Sequence, residues 1–216
     1  MQTTPSPMLA YETALRTAGY RTIVGLDEVG RGALAGPIVA AAVVLPGDIG
    51  VSDLPWSEIT DSKTLTARKR EELARIILDG AEATAVAALE APVIDEIGIG
   101  PANRMVMEAA LRQVETRCEP DFLLLDAVTI DHALPQIGII DGDARSLTVA
   151  AASIVAKVHR DAIMTDLSGA WPHYGWDRNK GYGVAAHLEA LRCNGPCVHH
   201  RRSFRPVTAC ELVAHG

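Results

Sequence analysis

The residues in this sequence best placed to do chemistry are acids at the ends of apolar runs. Ile23-Val24-Gly25-Leu26 runs into Asp27-Glu28, and Phe122-Leu123-Leu124-Leu125 runs into Asp126. Ile137-Gly138-Ile139-Ile140 is followed by Asp141-Gly142-Asp143. A carboxylate at the tip of a buried strand is costly unless a cation or several donors compensate it. If the three strands lie side by side, Asp27, Glu28, Asp126 and Asp143 crowd one patch. Like charges ~4 Å apart repel strongly where water is scarce, so either their pKa values rise or cations bind. Oxygen-only ligands suit Mg2+ or Mn2+. Two such ions about 3.5–4 Å apart steady both the attacking and the leaving oxygen of a phosphodiester displacement. The competing explanation is local: acids after strands commonly cap the next turn, and Asp143 is placed to do so before a long helix. Neighbours on a regular strand face opposite ways, so Asp27 and Glu28 share a site only if the strand loses regularity there. Gly30 and Gly32 make such a break plausible.

The turn after the first acids, Gly30-Arg31-Gly32-Ala33-Leu34-Ala35-Gly36, lets another backbone or a phosphate come close. It resembles a dinucleotide fingerprint, with Asp48 downstream. That pattern needs three glycines spaced G-x-G-x-x-G and opening a helix. Here the third glycine is one residue late, and Pro37 with Ile38-Val39 starts a strand, so the fingerprint is rejected.

These acids need strands to carry them, and the pattern supplies them. Strands are predicted at 21–27, 37–45, 83–91, 121–126 and 137–140. The second is nearly all apolar, as for a strand buried on both faces. Helices are predicted at 8–18, at 67–78 with Thr66 as N-cap and Gly80 beyond the end, and as a short helix from Pro92 to Gly98. Pro101 opens a further helix, 102–117, with Met105, Val106, Ala109, Leu111 and Val114 on its apolar positions. Others span 147–167 and 184–192, with one more after Pro206. Residues 48–65 and 169–183 read as loops. This is an α/β domain with a mixed central sheet flanked by helices and a C-terminal helical portion. One catalytic domain over 1–216 is expected, with a core at about 21–168 and the helical portion at about 169–216.

Composition sets the limits. The 216 residues are 48% apolar, 22% charged and only 4% aromatic, so the core must be aliphatic. The longest apolar run, Ile38 to Leu45, is far short of the ~20 residues that span a bilayer. Residues 1–5 show no secretory signal, so a cytoplasmic chain with no membrane partner is expected. A net charge of −7 argues against general nucleic-acid affinity, yet 171–216 holds six Lys/Arg against three Asp/Glu. An acidic centre with a basic rim suits a polyanion held near metals. Cys193 and Cys197 with His199 and His200 invite a zinc reading, but the spacing fits no usual finger, and unremarkable thiols and surface histidines are the better reading.

Five stretches in register carry a resemblance. Asp27-Glu28-Val29-Gly30-Arg31-Gly32, Asp61-Ser62-Lys63-Thr64-Leu65, Ala151 through Asp161, Lys180-Gly181-Tyr182-Gly183 and His199 through Phe204 resemble the motif series of bacterial ribonuclease HII, a type 2 ribonuclease H. The match covers about 21–206. It implies a ribonuclease-H-like fold. It also implies an endoribonuclease dependent on Mg2+ or Mn2+ that cuts the RNA strand of RNA–DNA hybrids. Such enzymes nick duplex DNA 5′ to embedded ribonucleotides, leaving a 3′-hydroxyl and a 5′-phosphate. Its metal-binding acids fall on Asp27, Glu28, Asp126 and Asp143. The backbone of its Gly-Arg-Gly turn, here Gly30, Arg31 and Gly32, is implied to grip the ribose 2′-hydroxyl. The resemblance also implies that Tyr182 packs on that sugar and that Ser62 and Lys63 lie near backbone phosphates. Departures are Ala127, where the family often has glycine, and the extra acid Asp141 before Asp143. The partner is nucleic acid and a monomer is expected. Two rivals stay open: a DNA nuclease on a similar fold with no ribose check, and a binding module that lost the chemistry.

Overall fold

The computed structural model describes residues 7–49 and 56–214; the expectations placed on residues 1–5 and on the middle of the 48–65 loop lie outside these. In chain order the elements are α1 (Ala10–Thr17), β1 (Ile23–Val29), β2 (Ile38–Val44), α2 (Ala67–Gly80), β3 (Ala83–Leu89), α3 (Ala91–Ile97), α4 (Ile99–Glu115), β4 (Phe122–Asp126), β5 (Gln136–Ile139), α5 (Leu147–Ala170), α6 (Trp176–Asn179), α7 (Ala185–Asn194) and α8 (Arg205–Ala214). The five strands form one mixed sheet in the order β3-β2-β1-β4-β5. β1, β2 and β3 are antiparallel in sequence, whereas β4 and β5 run parallel to β1. The C-terminal ends of β1, β4 and β5 therefore lie on one side of the sheet.

β2 is buried along its whole length because helices cover both faces. Ile38, Ala40, Ala42 and Val44 meet Val106, Met107 and Ala110 of α4, while Val39, Ala41 and Val43 meet Leu73 of α2 and Ala151 and Ile154 of α5. Each buried Val, Leu or Ile contributes roughly 1.5–3 kcal/mol of transfer free energy, which serves a core with few aromatics. The small residues of α5 bring it hard against the sheet. A Cβ on Gly25 of β1 would lie 2.3 Å from the Thr148 carbonyl carbon, so only glycine admits α5 at that height. The start of α5 is capped twice. Ser146 accepts from the Val149 amide, and the buried Glu12 of α1 accepts from the Thr148 amide at 3.0 Å and the Ser146 hydroxyl at 2.7 Å. An anion there also complements the helix dipole.

Differences from the expected elements are local. Gly80 ends inside α2 rather than beyond it, with Ala81 as the cap. α4 begins at Ile99, so Pro101 sits in its first turn, where a missing amide costs nothing. Its buried positions are Ala102, Asn103, Val106, Met107, Ala110, Leu111 and Val114; Met105 points to solvent. The 169–183 loop contains the end of α5, a 3-10 turn at Pro172–Tyr174 and α6. Among the described residues, no helix is long and apolar enough to cross a membrane.

Candidate active site

Strand register assembles the acids. Leu26 of β1 pairs with Leu125 of β4, and Asp27 and Asp126 follow one step later on each strand. Parallel neighbours in register share a face, here the one covered by α5. Asp141 lies in the left-handed region (φ 55°) after β5, and the chain turns back through a 3-10 turn, Gly142–Ala144. The Gly142 amide donates to Asp126 Oδ1 at 2.7 Å, which ties that turn to β4 and brings in the buried Asp143. Asp141 itself is exposed. Glu28 leaves the opposite face of β1 and is bonded by Asn103 of α4. The expected break in β1 does not occur. The strand stays paired with β2 out to Val29↔Val39, and the turn begins only at Gly30 (φ +88°). Asp27 and Glu28 thus face opposite sides, yet Glu28 is the neighbouring charge that Asp27 feels most.

The electrostatics are those of a crowded acid patch. Burial first, then Glu28 and Asp126, push Asp27 well above the usual carboxylate range, against a bond from the Ser153 hydroxyl. Glu28 is raised by burial and then by Asp126, with Arg31 and Asn103 opposing. Asp126 is raised mainly by burial, partly relieved by the Gly142 amide. The ammonium that reaches in is that of Lys63, 2.8 Å from Asp143 Oδ2. Among the described residues, no three Asp, Glu, His or Cys side chains are already drawn together around one point. Lys63 holds Asp143, Gly142 holds Asp126, and Glu28 starts from the other face. The donor set nevertheless fits a hard divalent cation: all its ligands are oxygens, and three of its four acids are short of positive charge. Ser62 turns its hydroxyl inward, 3.0 Å from Ser153 Oγ, and so joins the acid patch rather than the surface. The Lys63 side chain is largely exposed.

Beside the acids lies the glycine turn. Gly32 has open space around it and Arg31 is exposed, so the backbone is accessible at these two positions, whereas Gly30 is buried against Arg160. Tyr182 is half-buried next to it, in a segment whose Gly181 carbonyl accepts from the Leu34 amide at 2.8 Å. The Tyr182 carbonyl also meets His187 Nδ1 at 3.0 Å. Obligate donors fix the protons of that imidazole and of its neighbour. Trp176 Nε1 can only donate, and it donates to His187 Nε2 at 3.0 Å, so the His187 proton sits on Nδ1 and goes to Tyr182. The Cys197 amide donates to His200 Nδ1 at 3.0 Å, which leaves the His200 proton on Nε2, 3.2 Å from His187 Nε2. Burial keeps both rings neutral, lowering His187 and taking His200 to about 3. Cys193 is an exposed thiol on α7, and Cys197 is packed with Trp176 and Tyr174. His200 is not the surface histidine expected but is buried, because His187 and the Cys197 amide supply its partners inside the protein.

Sequence reasoning assigns no individual role to Asn103, Ser153, Arg160, His187 or Arg201, although Asn103 and Ser153 bond the acids and Arg160 and Arg201 bond the turn. Asn103 had a legible signal, a polar residue at a core position of an amphipathic helix. Arg160 had another, a charge within a helix of small residues.

The chain is similar to known proteins in sequence and in fold. The family model described as Ribonuclease HII matches residues 24–207. The Ribonuclease HII of Bacillus subtilis (strain 168) is 46% identical over 200 residues, which cover 93% of this chain and 76% of that protein. The ribonuclease H2 of Pyrococcus horikoshii OT3 has a similar fold, with a TM-score of 0.75 at 24% identity over 90% of this chain and 99% of that one. Bst-RNase HIII, solved in complex with Mn2+, gives a TM-score of 0.72 at 21% identity over 99% of this chain and 76% of that one.

Proposed function

The chain belongs to the ribonuclease HII family, and from that premise we propose that it hydrolyses the RNA strand of RNA–DNA hybrids and nicks duplex DNA on the 5′ side of an embedded ribonucleotide. The products are a 3′-hydroxyl and a 5′-phosphate. The observation that carries this reading is the β1–β4 register, which puts Asp27 and Asp126 at adjacent strand ends beside an open glycine turn.

Asp27, Asp126 and Asp143 would hold two Mg2+ or Mn2+ ions, and Glu28 would complete the set from the far face of β1. When bound, these ions supply the positive charge that steadies the attacking and leaving oxygens of the phosphodiester. Ser153 and Asn103 orient Asp27 and Glu28. Lys63, whose largely exposed side chain bonds Asp143, would release it and turn its ammonium to a phosphate. The backbone at Gly30, Arg31 and Gly32 meets the ribose 2′-hydroxyl, and Tyr182 packs on the sugar. Positioning and electrostatics do most of the work, since phosphodiester displacement asks little covalent chemistry of the protein.

The test is cleavage of three duplexes of one sequence: an RNA–DNA hybrid, DNA with a single ribonucleotide, and all-DNA. Cutting of the first two, at the 5′ side of the ribonucleotide in the second, is expected in Mg2+ or Mn2+. Comparable cutting of all-DNA duplex would replace this reading with a nuclease that does not sense ribose. Binding without turnover in either metal would leave only a binding module.

A further inference from the structure

Arg160 and Arg201 are fully buried, and among the described residues neither bonds to an Asp or Glu. Every guanidinium bond goes to a main-chain carbonyl. Arg160 donates from Nε to Pro37 O (2.9 Å), from Nη2 to Ala35 O (3.1 Å) and from Nη1 to Lys180 O (2.9 Å). Arg201 donates from Nε and Nη2 to Gly36 O (3.1 and 3.0 Å) and from Nη1 to Arg31 O (2.9 Å). Burial lowers the pKa of both, Arg201 to about 9 with Arg160 the next cause, so each stays charged at neutral pH.

A buried cation with no counter-ion is costly, and packing alone calls for none. These two join segments far apart in sequence. Arg160 binds the end of the glycine turn and the residue two before Tyr182 at once, and its guanidinium carbon lies 5.4 Å from the Tyr182 ring centre. The fit is tight: a Cβ on Gly30 would come 2.1 Å from Arg160 Nε. Arg201 holds the other flank, at Arg31. Arg160 and Ser153 are seven residues apart on α5, two turns and nearly one face, about 10 Å along the axis. Ser153 bonds Asp27. One rigid helix therefore spaces the acids from the turn.

We propose that Arg160, seconded by Arg201, is a positioning residue for substrate selection: it fixes the Gly30–Gly32 turn against Tyr182 at a set distance from the acids and so sets how strongly ribose is preferred over deoxyribose. This rests on the ribose-sensing role proposed above for that turn and tyrosine.

Arg160→Lys tests it, because an ammonium keeps the charge but lacks the planar fork that spans three carbonyls. Equilibrium binding is measured in Ca2+ for DNA duplex with one ribonucleotide and for the same duplex all in DNA, with gels checking that both stay intact. Wild type is expected to favour the ribonucleotide. In Arg160→Lys the ratio of the two Kd values falls by about tenfold, toward one, while the all-DNA Kd changes less than about twofold. Equal weakening for both duplexes, or an unchanged ratio, overturns the proposal and leaves ribose sensing intact. A wild-type ratio of one overturns ribose sensing itself, and this proposal with it. If Arg160→Lys does not fold, Arg201→Lys decides on the same ratio, since it loosens Arg31 and Gly36 while leaving Arg160 in place.

Discussion

The strand-end acids and the arginine–histidine group behind the glycine turn are both charged or polar clusters taken out of water, within the span of one helix. They handle that cost differently. Arg160 and Arg201 place their guanidinium bonds on carbonyls, and His187 and His200 have one tautomer each, in which His187 Nε2 is shared by the Trp176 and His200 N–H groups. The acids have no such closure. Asp27 has the Glu28 amide and Ser153, Asp126 has one amide, and the pKa values of both stay raised. One cluster is complete within the protein and acts as scaffold. The other is short of positive charge and is the place where a cation gains most.

The largest expected effect follows at Asp27. Asp27→Asn should lower cleavage by about 10³-fold or more, since several kcal/mol of charge stabilisation depend on the ions it helps hold. Its effect on stability should have the opposite sign. The folded pKa of Asp27 lies above the unfolded value, so its stabilising contribution is present below that unfolded value and is lost as pH rises through the folded one. At neutral pH the charge costs stability, and the neutral amide should raise the melting temperature by a few degrees, for ~1 kcal/mol or more. Mg2+ or Mn2+ should raise the wild-type melting temperature and shift the variant less. A variant that melts lower than wild type at pH 7 without metal would erase the contrast drawn here.

Arg160→Met should do the reverse in stability. It leaves three carbonyls without the guanidinium donor, two of them buried, at roughly 1–3 kcal/mol for each group not rescued by water, so a loss of about 3 kcal/mol is expected in urea unfolding. A loss below about 1 kcal/mol would mean that the buried guanidinium is no scaffold.

Acid should separate the clusters again. His187 and His200 are depressed in the folded state, so the unfolded chain takes up protons first. Stability from this group is fully present above about 6.5, the ordinary value, and is lost as pH falls toward the folded value of about 3 for His200. The acids, raised in the folded state, gain stability over part of the same descent. His200→Asn keeps an acceptor for the Cys197 amide but does not titrate, so it should remove up to ~1.4 kcal/mol per pH unit of the acid-side fall. An unaltered slope would place the proton uptake elsewhere.

How much of this was legible in the sequence follows from the same contrast. Acids at strand tips are visible in a one-dimensional pattern, because an apolar run announces the strand and the acid ends it. The order and type of the elements followed, including Thr66 as an N-cap and the stop at Gly98. What stayed hidden depends on neighbours in space. The β1–β4 register decides that Asp27 and Asp126 share a face. The expected break in β1 failed because β2 continues to pair with it, a fact about β2 rather than about Glu28. Arg160 and Arg201 bond only to carbonyls, which every residue has, so no partner type in the sequence marks them. His187 and His200 are thirteen positions apart and meet only after the chain doubles back.

The smallest effect sharpens the comparison most. Both clusters have non-glycine residues in the left-handed region at their edges: Ala127 (φ 54°) after Asp126 and Asp141 (φ 55°) before Asp143 on the acid side, and Lys180 (φ 51°) ahead of Tyr182 on the other. That conformation costs a non-glycine residue roughly 1–2 kcal/mol, and glycine gives back part of the gain through its freer unfolded chain. Ala127 is exposed, and its methyl has little to lose. Its backbone is held by the Ile139 carbonyl, which accepts its amide at 2.8 Å, and by the tight bond from the Val128 amide to the Asp126 carbonyl at 2.6 Å. Ala127→Gly should therefore stabilise by about 0.5–1 kcal/mol, near 1–4 °C in melting temperature, with cleavage unchanged within about twofold. Lys180→Gly should gain nothing, because it also removes the ammonium bonds to Thr165 Oγ1 at 2.7 Å and the Asp161 carbonyl at 3.3 Å. If the two glycine variants melt alike, the cationic side is no more closed on itself than the acidic one.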